Sequence, residues 1–166
     1  MELQIEKNKI TFDLDNEIPF FQVGDKYRVR FGIDDFNREE MKCLIREVFP
    51  NKMSCSLLTE ILTPTYSKEK TNIGKYIGIT NWKEDKYFSD VEYIIATIRE
   101  VEPKELLNYS LYIKRGLVSP FICFHDKKSV YYISDSVIDI VSSSTDFIEL
   151  VKGEYQGRVN HYYDKT

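Results

Sequence analysis

Alanine occurs only once in the 166 residues, at Ala96. Alanine is the strongest intrinsic helix former, so its near absence argues against a long helical bundle. Histidine is almost as scarce: His125 and His161 are the only two, which argues against a metal site built on several imidazoles. The cysteines Cys43, Cys55 and Cys123 are odd in number and form no C-x-x-C pair, so neither a disulfide framework nor a zinc ribbon is expected. No metal and no cofactor is expected, and three free thiols fit a reducing cytosol. Long apolar runs are missing as well. Tyr93-Ile94-Ile95-Ala96 and the stretch from Pro120 to Phe124 fall far short of the ~20 residues that cross a bilayer. The charged opening around Glu2, Glu6, Lys7 and Lys9 lacks the apolar run of a secretory signal, so a mature cytoplasmic chain beginning at Met1 is expected.

What is present is sheet-forming. Ile, Lys, Tyr, Phe and Asn supply 64 residues, and all five use codons that begin with two A or T bases. The skew therefore reads both as pressure on an A+T-rich gene and, through Ile, Tyr and Phe, as a preference for pleated, half-buried surfaces. A hydrophobic content of 42% is enough to bury one core in a chain of this length, so one domain spanning 1–166 is expected. The net charge of −4 is unevenly spread, with acidic ends and a mildly basic middle. Lys and Arg show no clustered face when counted by region, so direct nucleic-acid binding is not expected.

Local patterns point to an α+β fold with a mainly antiparallel sheet and about two to three helices. Residues 10–14 and 27–31 alternate as strands. Asp34 or Asp35, followed by Glu39 and Glu40 and then by Met41, Leu44, Ile45 and Val48, predicts an N-capped helix over 36–49 ending at Pro50. Residues 54–62 and 73–80 read as strands, the second bulged at its glycines. Val91, Ile94, Ile95 and Ile98 after Asp90 favour a helix, although their composition also suits a strand. Pro103 opens a helical turn. Residues 121–124, 130–133 and 137–141 form a meander, and Ser142 to Thr145 cap a final helix from about Asp146 with Phe147, Ile148, Leu150, Val151 and Tyr155 apolar.

Candidate chemistry is sparse, and no catalytic residue is assigned. Cys123 and His125 share a strand face at i, i+2, and Asp135 and Asp139 form a possible carboxylate pair; these would serve a small enzyme, the alternative function. Trp82, Glu84, Asp85 and Tyr87 lie in a segment of aromatics among charges, the chemistry of a partner-binding loop. Asp13, Asp15, Glu17, Asp34, Asp35, Glu39 and Glu40 form acidic clusters that could converge near the first helix.

The Ala-poor composition, the Met1-Glu2-Leu3 start and acidic stretches such as Asp13-Leu14-Asp15-Asn16-Glu17 resemble the small immunity proteins encoded beside polymorphic bacterial toxins, including those of contact-dependent growth inhibition systems. The order from Val130-Tyr131-Tyr132-Ile133 through Asn160-His161-Tyr162-Tyr163-Asp164 is similar to an uncharacterised bacterial domain family with a Tyr/Asp-rich tail. The first resemblance implies a cytosolic, non-enzymatic protein that binds the C-terminal domain of its cognate toxin, often a nuclease, and occludes its active site. A further alternative is a phage or mobile-element accessory protein that inhibits a host factor.

Overall fold

The computed structural model describes residues 1–6, 8–62, 67–68, 71–116 and 121–163. A short hairpin, β1 (Glu2–Ile5) and β2 (Asn8–Thr11), opens the chain. It turns at Glu6, whose φ of 47° is the left-handed conformation that a tight hairpin connection demands. β3 (Arg28–Gly32), α1 (Arg38–Val48) and β4 (Met53–Leu62) follow, with a two-residue strand β5 (Ser67–Lys68) on the end of β4. Next come β6 (Trp82–Phe88), β7 (Glu92–Val101) and α2 (Pro103–Lys114). The meander β8 (Phe121–His125), β9 (Ser129–Ile133) and β10 (Val137–Ser142), then α3 (Thr145–Glu154), complete the expected α+β architecture.

The main sheet runs in the order β3-β10-β9-β8-β4-β7-β6, with every neighbouring pair antiparallel. The three helices cover one face. There Met41, Leu44, Ile45 and Val48 of α1, Leu106, Leu107 and Ile113 of α2, and Ile148 and Val151 of α3 join Leu57, Ile98, Ile122 and Ile140 of the sheet in one core. The hairpin covers the other face, where Leu3, Ile5, Ile10 and Phe12 meet Leu58, Tyr93, Ile95, Cys123 and Val141.

Several expectations change. The cap of α1 is Asn37, not Asp34 or Asp35: its Oδ1 accepts from Glu39 N (2.9 Å) and Glu40 N (3.0 Å), and Glu40 Oε2 accepts from Asn37 N (2.9 Å). Phe36 is fully buried in an extended conformation, so the helix starts only beyond it. Residues 92–101 form a strand rather than a helix. Because both faces of β7 are covered, its buried residues run on without alternation and imitate helical spacing. The segment 73–80 is a 3₁₀ turn, Ile73–Lys75, followed by irregular backbone; Gly78 N donates to Glu105 Oε1 (2.6 Å) on the first turn of α2. The polar stretch after Asn81 is the edge strand β6 rather than a loop, and Leu150 points outward from α3 at 58% exposure.

Candidate functional site

The acidic residues fall on opposite sides of the sheet. Asp13 follows the buried Phe12, and its Oδ1 accepts from Asp15 N (3.1 Å), Asn16 N (3.0 Å) and Asn16 Nδ2 (2.9 Å) in a local turn. Ser89 Oγ donates to Asp15 Oδ1 (2.9 Å), which fastens this turn to the β6–β7 connection. Tyr93 lies beneath, its phenol pushed above the usual range first by burial and then by the Asp13 and Asp15 carboxylates. Tyr87 stacks on Tyr93 at 5.5 Å between ring centroids. Asp85 shares the face of Tyr87 at i, i+2 and pairs with Lys83 at 3.0 Å. Asp13, Asp15 and Tyr87 are thus assembled around Tyr93 into one acidic and aromatic patch on the hairpin side, with Asp85 on the same face of β6 but neutralised by Lys83. Glu17 stands apart, in a cleft of about 360 Å³ that it shares with Phe21, Asp25, Arg28 and Tyr163.

On the helix side, Asp34 and Asp35 lie in the 3₁₀ turn Ile33–Asp35 that precedes α1, and Glu39 and Glu40 lie in the first turn of α1. Asp35 Oδ2 accepts from Gly32 N (3.1 Å), and the carbonyl of Asp34 accepts from Lys114 Nζ (3.3 Å). Glu39 pairs with Lys42 at 3.1 Å and Glu40 with Arg158 at 2.6 Å. The Arg158 hydrogen bond, then that from Asn37 N, holds the Glu40 carboxyl below its ordinary value. Trp82 and Glu84 occupy the face of β6 opposite Asp85 and Tyr87, with Trp82 Nε1 donating to Glu84 Oε1 (2.9 Å). Trp82 and Phe88 are 41% and 83% exposed, so neither folds back over the core.

The pairs considered for catalysis are differently placed. Cys123 is fully buried beside apolar neighbours, and burial pushes its thiol well above the usual range. His125 Nε2 lies 2.9 Å from Ser56 Oγ, and burial lowers the imidazole to about 4. Asp139 is fully buried and locked to Arg30, whereas Asp135 lies exposed in the β9–β10 turn and accepts from Ser136 Oγ (2.9 Å). Among the described residues, no group of three or more His, Cys, Asp or Glu is arranged to hold a metal. None of the helices there is long and apolar enough to cross a membrane.

A basic row lies on α1, interleaved with acids of the same helix. Arg38, Lys42 and Arg46 recur at i, i+4 and i+8 along α1, and with Lys52 and Lys104 they line a cleft of about 790 Å³ at the N-terminus of α2. Glu39 and Glu102 also line it, and Lys42 is already paired with Glu39. Its chemistry suits an anionic group, and the four-residue spacing was the signal for it. No family model, no curated protein and no solved structure matches this chain.

Proposed function

We propose that the chain is an immunity protein, a cytoplasmic binding protein that neutralises a cognate bacterial toxin domain by covering its active site. A nuclease is the toxin class that this chemistry fits. A domain that cleaves nucleic acid carries a basic cleft, and an acidic surface gains association rate and specificity against it. The observation that carries the reading is the tie from Ser89 to Asp15. It holds two carboxylates beside Tyr87 and above the buried Tyr93, so the patch combines fixed negative charge with the half-buried Tyr87 ring, which can be desolvated further on contact. The buried thiol of Cys123 and the ion pair of Asp139 give no support to the enzymatic alternative.

The test is genetic and direct. The gene upstream should encode a large secreted protein with a variable C-terminal domain, and cells expressing that domain should survive only when this chain is coexpressed. A housekeeping operon at that position, or killing that the chain does not relieve, overturns the proposal.

A further inference from the structure

Strand β6 ends the main sheet, and no strand among the described residues pairs with its outer side. Two flanking hydrogen bonds set its backbone phase: Arg99 N donates to Asn81 O (3.4 Å) and Ser89 N to Val91 O (3.1 Å). Opposed residues in an antiparallel ladder alternate between bonded and non-bonded pairs. The odd-numbered residues therefore bond inward to β7, and the N–H and C=O groups of Trp82, Glu84, Lys86 and Phe88 point outward. Natural edges are usually blunted by proline, a bulge, a covering segment or charged side chains, and on β6 the last are Lys83, Glu84, Asp85 and Lys86, two of each sign, which disfavour an arbitrary strand but complement an identical one. β6 has no proline, and its register with β7 is unbroken from Trp82 to Phe88.

We propose that this edge takes a second copy of the chain, with the two β6 strands antiparallel about a two-fold axis at Asp85. An axis normal to the sheet keeps each residue on its own face, so opposed residues must share parity. In the register that joins the whole strand, Trp82 of one copy faces Phe88 of the other, Lys83 faces Tyr87, and Glu84 faces Lys86. Each is a favourable cross-strand combination: ring with ring, cation with ring, carboxylate with ammonium. Symmetry makes each of them occur twice. Only Asp85 meets its own like charge, and the Lys83 ammonium 3.0 Å away within each copy offsets it. The exposed Trp82 and Phe88, which have no role in the monomer core, gain a partner ring. This pairing does not depend on the toxin reading, but it would set both Asp13–Asp15–Tyr87 patches on one side of a continuous sheet.

Amide hydrogen exchange and sedimentation velocity on the full chain test it. Between micromolar and millimolar concentration the chain should pass from monomer to dimer, and the amides of Trp82, Glu84, Lys86 and Phe88 should slow on the order of tenfold while the odd-numbered amides stay as they were. Lys86→Glu should abolish the dimer, the exchange of charges in Glu84→Lys with Lys86→Glu should restore it, and Asp85→Asn should tighten it. A chain that is monomeric at every concentration overturns the proposal, as do outward amides that exchange alike at both concentrations. A dimer that survives Lys86→Glu, or that Asp85→Asn weakens, overturns this pairing as well. The exchange measurement uses the unmodified chain, so it decides for or against the pairing even if a variant fails to fold.

Discussion

Arg30 and Asp139, 109 residues apart in sequence, stand directly opposite each other on β3 and β10 and form a two-point ion pair, Nε to Oδ1 at 2.6 Å and the second nitrogen to Oδ2 at 2.7 Å. Their side chains are 6% and 0% exposed. The Phe20 ring lies 4.1 Å from the Arg30 guanidinium and 4.2 Å from that of Arg28. Arg28 in turn donates to the carbonyls of Phe20 (2.8 Å) and Tyr163 (3.2 Å) and to Asp25. Two segments distant in sequence are thereby held to one edge of the sheet, by the shielded Arg30–Asp139 pair and by Arg28 at the margin of the cleft it shares with Asp25.

Removing one partner of such a pair is far costlier than removing both. Asp139→Asn should destabilise the fold by about 3–5 kcal/mol because it leaves the Arg30 charge buried without a counter-ion. The double replacement Arg30→Met with Asp139→Leu should cost markedly less than Asp139→Asn alone. Urea unfolding of the wild type and both variants checks the order.

His125 makes stability depend on pH in a defined window. Its imidazole sits at about 4 in the folded protein against an ordinary value of 6.5, so the unfolded chain takes up the proton first. Stability should fall as pH drops from about 6.5 to about 4 and level off below that, a total on the order of 3 kcal/mol from this group. His125→Gln should remove that slope. Denaturation at several pH values measures the difference between the two chains; equal slopes would refute the assignment. Glu40, whose carboxyl is held below its ordinary value, loses its contribution only at the acid end of this range.

Glu100 is a strained position. Its φ of 62° is left-handed within β7, where two residues, Arg99 and Glu100, oppose Ser54 in a bulge. Its ion pair with Lys52 spans 3.5 Å between exposed side chains and stabilises little. Glu100→Gly should therefore raise stability by about 1 kcal/mol, whereas Glu100→Ala, which keeps the strain, should not. Thermal melts of both variants decide between them.

Two thiols are shielded and one is open. Cys43 is exposed while Cys55 and Cys123 are buried and free, so a thiol reagent should modify one site quickly in the folded chain and the other two only on unfolding. Fast modification of all three under native conditions would contradict the packing of the sheet.

α1, solvated on one face, was legible in the sequence through its stripe of Met41, Leu44, Ile45 and Val48. β8 to β10 are covered on both faces, and were legible because they are short β-rich runs set between clear turns. β7 misleads because hairpin and helices cover both its faces, which erases the alternation. β6 misleads for the opposite reason: as an edge it is polar enough to pass for a loop, and only its pairing with β7 makes it a strand. The acidic residues were visible, but their grouping was not. Asp15 reaches Ser89 across 74 positions, while Asp34 and Asp35 lie near in sequence yet on the far side of the sheet. The basic row on α1 was hidden because Glu39 and Glu40 interleave with it and cancel it in any regional count.

The claim that the Asp13–Asp15 patch recruits a toxin is tested most directly by stopped-flow association with the C-terminal domain encoded by the upstream gene, at low and high ionic strength. The wild-type rate should fall steeply with salt, and Asp13→Asn with Asp15→Asn should slow low-salt association on the order of tenfold while leaving the chain folded. Absence of a complex, or a rate that neither salt nor the double substitution alters, would rule out recruitment by this patch.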